Sequence, residues 1–216
     1  MLCSTTLCAQ GSYTVGLLPE INVNRKLGNT WKINCNVESR QALQRGLFDE
    51  SPTADYEYLL TDLSAALTKG IFFNNAWTAG YLLRVRNAAP AHRFFQQYNF
   101  DRRYVGYRVG YRIATDQTFS SAEAAEYRFR TRASGEIPLR GLALDQREYY
   151  LKAANEYLQK LSAGSYDLEV RLTAALGYTL RDDNKIEFGL DYRIDSFVSG
   201  APASDFWLTV GWYLSY

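Results

Sequence analysis

Apolar and polar residues alternate along most of this 216-residue chain. In residues 166–180 (YDLEVRLTAALGYTL), Leu168 and Val170 fall on one side of the alternation, and Asp167 and Glu169 fall on the other. A period of two is typical of a β-strand with two unlike faces. This stretch therefore predicts a strand that places its apolar and its charged side chains in different environments.

The same alternation recurs over most of the chain. It is strong in 104–114, 126–133 and 184–197, and weaker in 12–27, 31–43, 56–68, 71–85, 93–100 and 206–216. Turn-forming sequences separate these segments, among them Gly28-Asn29 and Asp182-Asp183-Asn184. No linker or change of composition divides the chain, so we predict a single domain of antiparallel hairpins over residues 11–216.

Residues 145–164 (DQREYYLKAANEYLQKLSAG) fit two structures. Asp145 and Glu148 have the spacing of a helix capping box, whereas Tyr149 and Leu151 also alternate as they would in a strand. If this stretch is a strand, the chain has eleven predicted strands, and if it is a helix, the chain has ten. A closed barrel with only antiparallel neighbours needs an even number. We therefore predict about twelve strands, with ten as the alternative.

A soluble sandwich and a membrane barrel share this alternation, but three features favour the barrel. Strands of fifteen residues, at about 3.3 Å per residue, reach roughly 50 Å, which is enough to cross an apolar band of about 25 Å when tilted. Tyr166 and Tyr178 lie near the ends of an apolar face, where membrane interfaces favour aromatic rings. The last strand finishes on Tyr216, which resembles the assembly signal of Gram-negative outer-membrane barrels. We therefore predict an all-β, closed, up-and-down transmembrane barrel in the outer membrane.

The first ten residues, MLCSTTLCAQ, look like the remnant of a secretory signal peptide. They lack the basic segment and the full apolar stretch of a complete signal, and a disordered N-terminus explains them equally well. The chain has three cysteines, Cys3, Cys8 and Cys35. If the first ten residues are removed, Cys35 is left alone and no intramolecular disulfide can form.

Composition narrows the range of functions. Lys and Arg number 24 and Asp and Glu number 23, so we expect no nucleic-acid partner, because such binders are normally basic. The mean hydropathy is −0.30, and no run of about 18 apolar residues predicts a membrane helix. His92 is the single histidine, and we find no G-x-S-x-G motif, phosphate loop or cysteine pair at metal spacing. We therefore expect no catalytic residue, metal or cofactor.

The order of several short motifs resembles a known family. The motifs are HRFFQQ (92–97), YRFRTR (127–132), IPL (137–139), YYLKAANEYL (149–158) and RLTAALGYTL (171–180). They look like successive strands of a family of small Gram-negative outer-membrane β-barrels of unknown function, of the domain of unknown function 2490 type. The resemblance covers most of the chain from about residue 13 onward and implies that 149–158 forms a strand. It implies a fold and a location, and no activity.

The alternation turns two groups of charged residues into the predicted barrel. These candidate solute-binding residues are Arg108, Arg112, Arg128, Arg130 and Arg132 on the earlier strands, and Arg171, Glu187, Asp191 and Arg193 on the later ones. Rows of guanidinium groups suit carboxylates and phosphates, whereas basic and acidic arcs that touch would neutralise each other.

From these charges we predict a narrow, porin-like channel or binding pore for small, preferably anionic solutes, surrounded by outer-membrane lipid. A closed barrel that is structural or docks an envelope protein partner is the alternative. A lipid- or glycan-modifying enzyme at the barrel rim is the third reading.

Overall fold

The computed structural model describes residues 11–49, 53–198 and 202–216, and these residues form one closed β-barrel. The described strands are β1 (Ser12–Lys26), β2 (Trp31–Leu47), β3 (Thr53–Phe72), β4 (Asn75–Arg86), β5 (Ala91–Tyr104), β6 (Tyr107–Ser120), β7 (Glu126–Pro138), β8 (Tyr149–Ser162), β9 (Ser165–Arg181), β10 (Asn184–Asp195) and β11 (Ala203–Ser215). The predicted signal-peptide remnant, residues 1–10, lies outside the described residues.

The barrel closes through a parallel pair of strands. Each strand is antiparallel to the next in sequence, whereas β1 and β11 run in the same direction, in register from Ser12 opposite Ala203 to Asn24 opposite Ser215. The predicted closed β-barrel is thus confirmed, and the eleven described strands are close to the predicted count of about twelve. The argument for an even number does not hold here, because it assumed that the closing pair is antiparallel.

The ambiguous stretch 145–164 contains strand β8, as the family resemblance implied. Tyr150 and Leu158 point inward and are fully buried, whereas Leu151 and Tyr157 are about half exposed on the outside. The strand pairs along its whole length with β7 and β9. Neighbouring strands and the two-sided environment therefore override the capping-box spacing.

The outside of the barrel carries an apolar surface bounded by aromatic rings. Exposed aliphatic side chains occupy the middle, including Ile21, Val37, Leu63, Ile113, Leu172, Leu190, Leu208 and Val210. Aromatic side chains are frequent near both ends of the strands, including Trp31, Trp77, Tyr107, Tyr149 and Trp212 at one end and Tyr56, Phe94, Phe119, Tyr127 and Tyr166 at the other. Polar side chains that point outward near the middle of the strands form hydrogen bonds with each other. The Thr115 hydroxyl, for example, donates a hydrogen bond of 3.0 Å to the Gln96 side-chain oxygen. Among the described residues, no helix has the length and apolar character needed to cross a membrane.

The two ends of the barrel differ. We call the end at which β1 begins, at Ser12, the N-terminal end, and the end at which β11 finishes, at Ser215, the C-terminal end. A ten-residue connection between β7 and β8, residues 139–148, lies over part of the C-terminal end. There the carbonyl oxygen of Leu142 accepts a hydrogen bond of 3.0 Å from the amide of Gly106, and Gln146 donates one of 2.9 Å to Asp182.

Candidate functional site: a charged cavity inside the barrel

Side chains fill the barrel interior four to six residues in from the N-terminal end. Ala42 and Leu158 are 0% exposed, Trp207 is 2% exposed and Leu18 is 3% exposed. The Trp207 ring packs directly on the backbone of Gly16, which has no side chain. A Cβ atom at Gly16 would lie 2.5 Å from the ring, so a larger residue would not fit there. Since these residues come from β1, β2, β8 and β11, the packing extends across the lumen and narrows it.

Buried ion pairs complete this packed layer. Asp116 of β6 is 1% exposed and lies 2.9 Å from Arg128 and 3.2 Å from Arg130, both on β7. Three strands further along the wall, Arg193 and Asp191 of β10 are 2.7 Å apart and are also buried. Charges withdrawn from water in this way are stable only when opposite charges and hydrogen bonds compensate them.

The strands β8 to β10 hold a second set of paired charges. The Glu187 carboxylate accepts hydrogen bonds from the Tyr150 hydroxyl, at 2.8 Å, and from the Lys152 ammonium group, at 2.8 Å. Arg171 contacts Glu169 through its Nε and lies 3.9 Å from Glu156. These pairs neutralise much of the charge that the sequence places on this wall.

A cavity of about 710 Å³ occupies the rest of the lumen, from the packed layer towards the C-terminal end. This lumen cavity is within the range of about 300–1,000 Å³ that is typical of small-molecule sites. Its lining reaches Lys32 at the start of β2, an exposed residue, so the cavity opens at the C-terminal end. A smaller cavity of about 320 Å³ lies beside it, under the 139–148 connection, and shares Arg108 with it.

Three arginines of the lumen cavity, Arg93, Arg112 and Arg132, have no ion pair among the described residues, and the last two are direct neighbours. Arg112 of β6 and Arg132 of β7 lie directly opposite each other in the strand register, and both line the cavity. Among the described residues, neither has a carboxylate oxygen within 4.0 Å of its guanidinium group, although Arg112 donates a 3.2 Å hydrogen bond from Nε to Asn99. Like charges on directly opposite residues repel. Glu156 of β8 lies opposite Arg132 on its other side, but its carboxylate is nearer to Arg130 and Arg171, so the arginine pair is only partly neutralised.

The structure places all nine predicted site residues in the barrel interior. Arg108, Arg112, Arg130, Arg132, Arg171, Glu187, Asp191 and Arg193 line the lumen cavity, whereas Arg128 lies in the packed layer. Arg108 is paired with Asp101 at 3.0 Å, and Arg112 and Arg132 alone of the nine lack an ionic partner among the described residues. Their role in binding solutes stays a prediction.

Several interior charges were absent from that prediction. Asp116 continues the alternation of Arg108 and Arg112 on β6, so the pattern did contain a signal for it. Glu156 and Lys152 belong to β8, whose faces were unassigned while the stretch could also be a helix. Arg93 lines the cavity as well, and its Nε donates a 2.9 Å hydrogen bond to Thr118.

The histidine lies away from the cavity. His92 is exposed, near the N-terminal end of β5, and its Nδ1 forms a 2.6 Å hydrogen bond with the Tyr81 hydroxyl. Across the part of the chain that the structure describes, no group of three or more His, Cys, Asp or Glu side chains is arranged to hold a metal ion. Cys35 is a free, exposed thiol.

One comparison with known proteins gives a match. The model of a family described as a protein of unknown function (DUF2490) matches residues 16–201 of this chain. No curated protein matches, and no solved structure matches.

Proposed function

This chain belongs to the DUF2490 family of proteins of unknown function, and we propose that it is an outer-membrane β-barrel that binds small anionic solutes in its lumen. The observation that carries the proposal is the unpaired Arg112–Arg132 pair on the wall of the lumen cavity. Guanidinium groups on directly opposite residues can both donate N–H hydrogen bonds to one anion, and carboxylate and phosphate oxygens accept such bonds well. An anion between them would remove the repulsion of the pair.

Charge balance in the lumen cavity supports an anion rather than a cation. Its lining contains nine basic residues, Lys32, Arg93, Arg108, Arg112, Arg130, Arg132, Lys152, Arg171 and Arg193, and seven acidic residues, Glu20, Glu38, Asp101, Asp116, Glu156, Glu187 and Asp191. The acids are engaged with partners. Glu38 contacts Arg40 at 2.8 Å, and Glu20 accepts a hydrogen bond of 3.1 Å from Tyr213. Because the basic residues outnumber the acidic ones by two, the formal charge of the lining is positive.

The outer surface supports the membrane part of the proposal. Exposed aliphatic residues such as Leu172 and Leu208 would be costly to expose to water over so large an area, but they suit lipid. The aromatic residues near both ends match the interfacial girdles of membrane barrels. Fractionation of Gram-negative cells that express the chain tests the location: we expect the protein in the outer-membrane fraction, and recovery as a water-soluble protein would contradict it.

The packed layer favours a binding pore over an open channel. Trp207 and Leu158 fill the lumen between the cavity and the N-terminal end, so a solute that enters from the C-terminal end meets a closed floor. Passage through the barrel would require these side chains to move. The anion site itself does not depend on that movement.

A second candidate is a closed barrel with a structural or partner-docking role. The buried pairs Arg128–Asp116 and Arg193–Asp191 favour it, because they contribute to a filled, neutralised interior and leave no free charge in the packed layer. This candidate predicts that the purified barrel binds no anion. A rim enzyme has less support, since His92 has a tyrosine as its hydrogen-bonding partner in the described chain.

Calorimetric titration of the detergent-solubilised protein with inorganic phosphate separates the two candidates. The anion-binding barrel should bind phosphate saturably, and the double variant Arg112→Ser/Arg132→Ser should lose at least about tenfold in affinity, since charge-assisted hydrogen bonds contribute about 1.5–3 kcal/mol each. Arg45→Ser is the matched control, because Arg45 pairs with Glu57 on the exposed N-terminal end. Absence of binding to the wild-type protein would favour the structural barrel.

A further inference from the structure

Strands β1 to β5 contribute a set of neutral hydrogen-bonding side chains to the lumen cavity, interspersed with the charged Glu20, Lys32, Glu38, Arg93 and Asp101. We call the neutral set the amide wall, and it consists of Asn22, Asn24, Asn34, Asn36, Ser64, Thr68, Thr78, Gln97 and Asn99 on strands β1 to β5. The asparagines of β1 and β2 lie across the barrel from Arg132, because β2 is five strands from β7 in one direction and six in the other. The amide wall and the arginine pair are joined at one edge, where Asn99 lies opposite Arg112 in the register.

Part of the amide wall is ordered by its own hydrogen bonds. The Asn34 amide nitrogen donates to Asn22 at 2.8 Å and to Asn24 at 2.9 Å, and Asn24 donates to Asn22 at 2.7 Å. Thr68 and Thr78 share a hydrogen bond of 2.7 Å. These contacts hold the side chains in place before a solute arrives, which lowers the entropy cost of binding.

Other groups on the wall are free to bind a solute. Gln97 and Ser64 line the cavity, and within the described chain their side chains form no hydrogen bond. Gln97 lies opposite Ala114 on β6, two residues along from Arg112 and on the same inner face, so it is a diagonal neighbour of the arginine pair. An amide at this position can donate and accept hydrogen bonds at once.

From the arginine pair and the amide wall together we infer that the solute is an anionic carbohydrate. Its carboxylate or phosphate would bind Arg112 and Arg132, and its hydroxyl groups would bind the amide wall. A bare anion would use the arginines and leave the wall to water. A neutral sugar would use the wall and leave the guanidinium charges unpaired. A sugar acid suits both the arginine pair and the amide wall. Its carboxylate accepts hydrogen bonds from the arginines, and each of its hydroxyl groups can donate and accept a hydrogen bond on the amide wall. The inference rests on the proposed function and specifies its solute class.

Three probes of similar size test the solute class on the full-length protein in detergent. D-glucuronate carries a carboxylate and hydroxyl groups, cyclohexanecarboxylate carries the carboxylate alone, and D-glucose carries the hydroxyl groups alone. We expect glucuronate to bind about tenfold more tightly than cyclohexanecarboxylate, which corresponds to one or two net hydrogen bonds. Glucose should bind most weakly.

The variant Gln97→Met isolates the amide wall. It keeps the length of the side chain and leaves no protein group without a partner, because the Gln97 amide bonds to no side chain in the described chain. We expect it to weaken glucuronate severalfold and to leave cyclohexanecarboxylate unchanged, whereas Arg112→Ser/Arg132→Ser should weaken both. Equal binding of the two carboxylates, or glucose binding as tightly as glucuronate, would overturn the sugar assignment. Failure of both carboxylates and of phosphate to bind would overturn the proposed function as well.

Discussion

Arg112 and Arg132 lie directly opposite each other on the inner wall of the barrel, and no described carboxylate is within 4.0 Å of either guanidinium group. Most other basic residues of the interior, such as Arg128 and Arg193, are closely paired with acids, and the buried Arg93 has the Thr118 hydroxyl as its hydrogen-bond partner. The contrast matters because an unpaired arginine pair in a half-buried site costs free energy that a purely structural barrel has no reason to retain. The pair is therefore the feature that most favours a binding role.

The two ends of one arginine row should respond differently to mutation. Arg128 and Arg132 point to the same side of β7, but Arg128 is paired with the buried Asp116 and Arg132 faces the cavity. We expect Arg128→Ser to lower the free energy of unfolding by about 3 kcal/mol, because it weakens the compensation of a buried charge. We expect Arg132→Ser to change it by no more than about 0.5 kcal/mol.

Urea unfolding in detergent or in lipid vesicles measures this difference. Arg130 remains 3.2 Å from Asp116 in both variants, so the barrel should still fold and the comparison stays interpretable. Equal losses of stability in the two variants would show that Arg132 is as well compensated as Arg128, and would remove the argument for a free basic site.

Replacing Trp207 should open the floor of the cavity. The side chain is 2% exposed and packs on the backbone of Gly16, so Trp207→Ala removes the largest side chain of the packed layer. We expect wild-type protein in planar bilayers to carry little current, and Trp207→Ala to conduct with a preference for anions set by Arg112 and Arg132. The substitution should also cost about 3–5 kcal/mol of stability.

Trp212→Ala is the control for this experiment. Trp212 lies on the same strand but is 44% exposed on the outside of the barrel, so its loss should not change the lumen. A wild-type protein that conducts as well as Trp207→Ala would show that the packed layer does not close the pore.

A charge on the outer surface should block membrane insertion. Leu190 is 42% exposed near the middle of β10, and we expect Leu190→Arg to destabilise the inserted barrel by about 2–4 kcal/mol, the cost measured for arginine near the midplane of membrane barrels. Leu139→Arg is the matched control, because Leu139 is 54% exposed just beyond the end of β7. Membrane-fraction yield and heat-dependent migration in SDS gels report the outcome, and normal assembly of Leu190→Arg would contradict a lipid-facing surface.

The alternation of the sequence was sufficient to place side chains inside or outside the barrel. Period two assigns a face to each residue of a regular strand, whichever strand lies next to it, and is interrupted at bulges such as the one between Ala42 and Gln44 of β2. Arg171 and Glu187 were therefore predicted to point inward, and the structure places them on the cavity wall. The secondary structure of residues 149–158 could not be predicted from the alternation alone, because the capping-box spacing just before them also fits a helix. In the structure they form a strand because they pair with β7 and β9.

The pairing of charges could not be predicted in the same way. Arg128 and Arg132 are equivalent in the alternation, but the β6–β7 register puts Asp116 opposite the first and Arg112 opposite the second. Glu156 of β8 lies opposite Arg132, yet its carboxylate is nearer to Arg130 and Arg171. The parallel closure of β1 on β11 is also invisible locally, since it joins strands at opposite ends of the sequence. Cross-strand register, rather than local pattern, thus separates the structural charges from the candidate site.

Anomalous diffraction from crystals soaked in selenate tests the anion site most directly, because it shows where a tetrahedral dianion binds. The arginine pair predicts a selenium peak inside the lumen, between the guanidinium groups of Arg112 and Arg132, and the same crystals of Arg112→Ser/Arg132→Ser should lack it. Selenate peaks confined to the outer surface of the wild-type barrel, with none at the arginine pair, would contradict an anion-binding lumen.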